Sequence, residues 1–365
     1  MQSSRGRDFI RWQRVIVGYA LELTSAFLEL AVRAMILSEP GPIEKSPLVL
    51  REVPTPEPQP GEILVRVQAC GICRTDLHVV EAELPPQRPH IIPGHQVVGT
   101  VHARGPGAQR FKIGDRVGIA WLRYTCGQCR YCKAGNENLC PNARFTGYHE
   151  NGGFAEYAVV LENFAYTLPP KLDAATATPL LCAGIIGYRA LKRADVQPGW
   201  RLGLYGFGSS AHIAIQVARH WNCSVYCMTR DEGHQALARE LGASWAGGAD
   251  AKPPEKLDSA ILFAPVGDLV APALEALDMG GTLAVAGIYL TDISRLNYER
   301  HLFHEKTLRS VTANTRKDGE ELLELANDIP LRPRTTCFPL ADANRALNML
   351  KHDGFSGSGV LIVND

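Results

Sequence analysis

Two hydrophobic rhythms divide the chain. Residues 62–68, 97–101, 116–119 and 154–160 are short stretches rich in apolar or alternating side chains, set off by Gly, Pro or Asn. Such runs predict half-buried strands, so the first half reads as a β-rich body. A first strand is expected at 34–37, and the proline-rich 54–61 predicts a rigid turn. After Pro179 the rhythm changes. Short apolar runs at 202–205, 224–228, 260–263 and 282–286 alternate with helical patterns at 211–220, 235–241 and 269–277. That alternation predicts a parallel sheet with crossover helices. A helix is expected at 342–351 and a last strand at 359–363.

Residues 1–33 stand apart. Arg5, Arg7, Arg11 and Arg14 introduce a mostly apolar run in which Trp12, Ile16, Tyr19, Leu23, Phe27 and Leu30 recur at spacings of three and four. This predicts an N-terminal extension, either an amphipathic helix or disordered. Glu22 and Glu29 break the run short of the ~20 apolar residues a bilayer requires, so no membrane span is expected.

A length of 365 residues suggests two domains. Charge balances at 38 basic against 38 acidic residues, so no net field attracts nucleic acid. The ten cysteines are too few for a disulfide scaffold, and their spacing decides their use. Cys126, Cys129, Cys132 and Cys140 form C-x2-C-x2-C-x7-C. Four thiolates so close together can wrap one tetrahedral zinc ion, a closed shell with a structural role. An iron–sulfur cluster is the rival, but its runs continue with three intervening residues rather than seven. Of the remaining six, Cys70, Cys223, Cys227 and Cys337 read as reduced core or strand residues.

Gly206-Phe-Gly208-Ser-Ser-Ala211 follows an apolar strand and opens an apolar helix. In that setting it reads as a dinucleotide fingerprint, with the helix N-terminus facing a pyrophosphate. About twenty residues on, the second strand ends in Thr229-Arg230. A carboxylate there would accept from the ribose hydroxyls of NAD. A cation stands in its place and Asp231 comes late, so the reading leans towards NADP.

The segments Gly71-Ile-Cys73-Arg74-Thr75-Asp76-Leu-His78, Pro93-Gly94-His95 and Gly152-Gly-Phe-Ala-Glu-Tyr157 join these motifs. Together they resemble a zinc-dependent alcohol dehydrogenase of the medium-chain dehydrogenase/reductase family, from about Ala34 to the C-terminus. The resemblance implies an α/β fold. A β-rich GroES-like catalytic domain would take 34–182 and 315–365, and a Rossmann domain with a doubly wound parallel sheet would take 183–314. It implies two zinc ions per chain, one structural and one catalytic, the latter held by Cys73, His95 and Cys182. It implies hydride transfer between an alcohol or aldehyde and NAD(P), in a homodimer or homotetramer of the reducing cytoplasm.

Further roles follow from the resemblance. Thr75 would bond the substrate oxygen, Asp76 would orient His95, and His78 would relay the proton. Arg74 would face the pyrophosphate, and Gly287 and Ile288 would lie near the carboxamide. Two positions depart from the family pattern: Gln96 stands where Glu is usual behind the zinc, and Ile186 where Thr is frequent beside the nicotinamide. Trp121, with Val79 and Val80, would wall a pocket for short to medium-chain primary alcohols. The alternatives are a non-catalytic NADPH-binding relative, such as a redox sensor, and a zinc reductase for larger aldehydes. Retention of all seven zinc ligands speaks against the first.

Overall fold

The computed structural model describes residues 31–364. The expected N-terminal helix therefore lies outside the described residues. The first strand, Ala31–Leu37, begins three residues before the expected boundary and pairs antiparallel with Leu48–Pro54.

The long strand Glu62–Ile72 organises the first half. It pairs antiparallel with Gln96–Arg104, Tyr157–Leu161 and the C-terminal strand Ser358–Ile362. Arg116–Ile119, Ala165–Thr167 and Thr335–Pro339 complete a seven-stranded sheet. Glu62–Ile72 pairs with Gln96–Arg104 through two register shifts, and Cys73 stands just past its end. Its inward side chains, Ile63, Val65 and Val67, are fully buried.

The second half forms a six-stranded parallel sheet. We label its strands β1 (Arg201–Tyr205), β2 (Ser224–Met228), β3 (Trp245–Gly247), β4 (Leu257–Leu262), β5 (Leu277–Val285) and β6 (Thr307–Ser310). Their spatial order is 3-2-1-4-5-6, all parallel. This is the doubly wound order, with its crevice beyond the carboxyl ends of β1 and β4 where the direction of winding reverses. The central strands are apolar on both faces because helices cover both. The edge strand β6, Thr-Leu-Arg-Ser, has one neighbour and no apolar run to betray it.

The two halves share a core. Val98 and Ala120 of the first pack in one cluster with Leu202, Leu204 and Ile213 of the second. Helix Arg316–Asp328 supplies Leu322, Leu323 and Ala326 to that cluster and lies against helix Ala183–Arg193. Its start is held by charge. Thr315 caps it, and Asp318 accepts from the Thr315 N–H and pairs with Arg189 at 2.6 Å and Lys192 at 3.1 Å. None of the ten cysteines forms a disulfide. No single helix among the described residues is long and apolar enough to cross a membrane.

Burial opposes ionisation of Asp318, but the bonds from Thr315 and the Arg189 charge outweigh it and hold its pKa below the usual value. A depressed carboxylate stabilises above its unfolded pKa and loses that contribution as pH falls through the folded value. Asp318→Ala should therefore cost about 3 kcal/mol near neutral pH, since it removes a cap contact and strands a buried arginine. Thermal melts from pH 7 down to 3 check this: the gap between variant and parent should narrow towards acid.

Candidate active site and metal centres

Cys73, His95 and Cys182 arrive from three places. Cys73 caps the short helix Arg74–Val80. His95 follows the turn before strand Gln96–Arg104. Cys182 stands at the junction that opens helix Ala183–Arg193. Their ligand atoms lie within 4.8 Å of one another. The two sulfurs are 3.9 Å apart. A tetrahedron with zinc–sulfur bonds of about 2.3 Å has edges of about 3.8 Å, so the spacing fits a shared zinc ion.

Asp76 fixes this arrangement. Its Oδ2 accepts from the Cys73 N–H at 2.9 Å; its Oδ1 accepts from the Gly94 N–H at 3.1 Å and from His95 Nδ1 at 2.9 Å. Nδ1 is thus the protonated nitrogen, which leaves the Nε2 lone pair as the ligand. That Nε2 is buried and has no partner of its own. A buried polar atom without a partner is costly, and a metal ion would satisfy it. Burial by itself would lower the His95 pKa, but Asp76 and Cys73 outweigh it and push it up to about 10, so a cation bound at Nε2 would displace a proton there. Cys73 is pulled well below a normal thiol by its bond from Cys182, and Cys182 is pushed well above by Cys73. A divalent cation held by both sulfurs would favour the thiolate form of each.

Glycines make the turn possible. Gly94 has φ +96°, and a Cβ there would meet Phe154 Cδ1 at 2.3 Å. The Gly152 N–H donates to the Ile92 carbonyl and the Gly153 N–H to the Gly94 carbonyl, so residues 152–153 clasp the loop that carries His95. Gln96 is buried beneath, against the backbone of Gly71.

The second cluster is local. Strands Leu122–Tyr124 and Arg144–Phe145 pair antiparallel and bring the ends of the 126–140 lobe together. The sulfurs of Cys126, Cys129, Cys132 and Cys140 stand 3.5 to 4.0 Å apart along three measured edges. N–H groups of Gln128 and Cys129 draw the Cys126 thiol down to about 6, while desolvation pushes Cys132 up to about 11. Four thiolates side by side need a cation, and this donor set fits zinc. Glu137 anchors the lobe by pairing with Arg316 at 2.7 Å, and Asn138 Nδ2 donates to the Thr312 carbonyl.

The fingerprint turn fits a dinucleotide. Gly206 has φ +86° and sits against Ala264, Gly208 faces open space, and Ala211 is buried. Helix Ser209–His220 has no side-chain cap, so its N-terminal N–H groups are available to a phosphate. Thr229 is buried at the end of β2 while Arg230 is 86% exposed along its side chain. The Asp231 carboxylate caps the next helix, Glu232–Glu240, by accepting from the His234 N–H. Gly287 and Ile288 follow the end of β5 and enter a turn, and the next residue, Tyr289, stacks on His78 with ring centroids 4.7 Å apart.

Several contacts at the site have no local signal in the sequence. His78 Nδ1 pairs with Glu83. Trp121 meets the edge of the His95 ring at 5.0 Å and stacks on Phe145 at 4.9 Å, with Tyr148 beyond. The wall expected from Trp121 is therefore aromatic on several sides. Val80 does not join it: this residue is fully buried in the core of the first sheet. Val79 lines a separate cavity of about 340 Å³ with Leu37, Ile91 and Tyr148, and none of the seven candidate ligands reaches it. Ile186 is half-buried near the start of its helix.

The comparisons with known proteins agree with this geometry. The family model for the alcohol dehydrogenase GroES-like domain matches residues 59–170, and that for the zinc-binding dehydrogenase matches 211–328. A Mycobacterium tuberculosis protein named "Probable alcohol dehydrogenase AdhA" is 52% identical over 89% of this chain and 95% of its own. The chain belongs to the zinc-type alcohol dehydrogenases of the medium-chain dehydrogenase/reductase family. An alcohol dehydrogenase of Geobacillus stearothermophilus is 34% identical over 87% of this chain and 96% of its own. The cobalt- and zinc-bound thermostable alcohol dehydrogenase of Pyrobaculum aerophilum superposes with a TM-score of 0.81 at 27% identity, covering 91% of this chain and 99% of its own. For a member of this family, Gly94→Ala should be severe, because the added methyl has neither the φ nor the room. The expected outcome is a loss of at least about 2 kcal/mol in unfolding free energy together with loss of turnover, read by denaturant titration and assay.

Proposed function

We propose that this alcohol dehydrogenase transfers hydride between short to medium-chain primary alcohols and NAD(P), with one catalytic and one structural zinc per chain. The convergence of Cys73, Cys182 and the buried, unpartnered His95 Nε2 carries the reading. Cys73, His95 and Cys182 would hold the catalytic ion and leave a fourth position for substrate; Cys126, Cys129, Cys132 and Cys140 would hold the other. A zinc ion held there would supply Lewis acidity to the substrate oxygen, and a bound nicotinamide would supply the hydride chemistry.

The chain's own residues do the rest. Asp76 orients His95. Thr75, buried one position into its helix, is the candidate acceptor of the substrate hydroxyl proton. His78, held by Glu83 through Nδ1, would use Nε2 as the nitrogen that takes the proton onward. Trp121, edge-on to His95, limits the space beside the metal. Arg74 and the bare N-terminus of helix Ser209–His220 would seat the pyrophosphate. Arg230 at the end of β2, with Asp231 engaged as a cap, favours NADP over NAD. The active unit is a homodimer or homotetramer.

Three outcomes test this. An alcohol panel assayed with NAD⁺ and NADP⁺ should show turnover that a chelator removes and zinc restores; no turnover on any alcohol or aldehyde in zinc-loaded protein would sink the proposal. Cys73→Ala should lose turnover yet bind cofactor and keep about one zinc per chain, whereas Cys140→Ala should chiefly lower the melting temperature. If Cys140→Ala abolished activity in well-folded protein, the division of roles would be wrong. His78→Gln should lower kcat about tenfold or more with KM little changed, as removal of a proton carrier does.

A further inference from the structure

Arg74 and Arg230 converge on one carboxylate. Arg74 Nη2 donates to Asp353 Oδ1 at 3.2 Å, and Arg230 Nη2 lies 3.7 Å from Asp353 Oδ2. The three come from different places: the helix after Cys73, the end of β2, and the turn between helix Ala343–Lys351 and strand Ser358–Ile362. The same turn makes a second contact across the crevice, where Ser358 Oγ meets Ser209 Oγ at 2.5 Å. Ser209 is the first residue of the uncapped fingerprint helix. The segment 353–358 thus touches both candidate phosphate-binding arginines and the helix end where a pyrophosphate would seat.

All three charged side chains are well exposed, so the pairs add little to stability. Their effect is on whatever anion comes next. We propose that Asp353 is an internal competitor of the cofactor's phosphates and a determinant of the choice between NADP and NAD. This rests on the reading of Arg74 and Arg230 as cofactor-facing. The carboxylate occupies both guanidinium groups before cofactor arrives, and binding exchanges one anion for another. A 2′-phosphate carries close to two negative charges, so it gains more than the bare ribose of NAD from a freed Arg230 and suffers more repulsion from a retained Asp353. The substitution that isolates the charge is Asp353→Asn. Residue 353 has φ +53°, a conformation that Asn adopts as readily as Asp.

The test uses the full-length, zinc-loaded protein and follows cofactor fluorescence on titration with NADH and with NADPH, without turnover. Asp353→Asn should tighten NADPH about fivefold and NADH about twofold, with an unchanged melting temperature. The difference should shrink at high salt, as exposed charges are screened. Arg74→Ala should weaken both cofactors and Arg230→Ala chiefly NADPH. If the arginine variants behave so while Asp353→Asn leaves both affinities unchanged or weaker, the competitor role is overturned. If neither arginine variant alters either affinity, the reading of the arginines falls and the proposal falls with it.

Discussion

A single buried carboxylate sets the geometry on which this site depends. Asp76 is 1% exposed and accepts three N–H bonds, one each from Cys73, Gly94 and His95. A charge buried this deeply is tolerable only when hydrogen-bonded and opposed by positive charge. The backbone N–H groups supply part of that, and the imidazole with its metal would supply the rest. In return the carboxylate fixes two of the three candidate ligands relative to each other and selects Nε2 of His95 as the free nitrogen. The glycine clasp at 94 and 152–153 and the aromatic wall of Trp121 and Phe145 pack around this fixed point.

What the sequence made legible follows from locality. The 126–140 lobe is readable because its four cysteines share one short loop, so spacing encodes their convergence. The fingerprint is readable for the same reason: strand, turn and helix are contiguous. Strand 224–228 coincides with β2 residue for residue. Cys73, His95 and Cys182 lie 22 and 87 residues apart, and spacing carries no information over such lengths. Only the family resemblance joins them. Glu83 beside His78, Tyr289 stacked on it, and Asp353 between two arginines depend on how distant loops meet, and no local signal announces them. The misplaced Val80 shows the same limit. A helix turns about 100° per residue, so the neighbour of a site residue readily faces the core instead.

Opposite charges join distant segments at several points, and they divide by burial. Asp318 with Arg189, and Glu137 with Arg316, are partly or wholly buried and hold the lobe and the bridging helix in place. Asp353 with Arg74 and Arg230 is exposed and weak. Strong pairs suit a permanent scaffold, and weak ones suit contacts that a ligand exchanges. The division matches the fold: the shared core through Val98, Leu204 and Leu322 fixes the halves, while the side open to cofactor keeps its charges in water.

Cys73, His95 and Cys182 are proposed to form a metal centre distinct from the four-cysteine lobe. Anomalous diffraction at the zinc edge from crystals of the purified protein addresses it directly. Two zinc peaks per chain are expected, one within bonding distance of four sulfurs and one within bonding distance of Cys73 Sγ, Cys182 Sγ and His95 Nε2. A single peak in the lobe, with the second site empty in protein that turns over an alcohol, would contradict it.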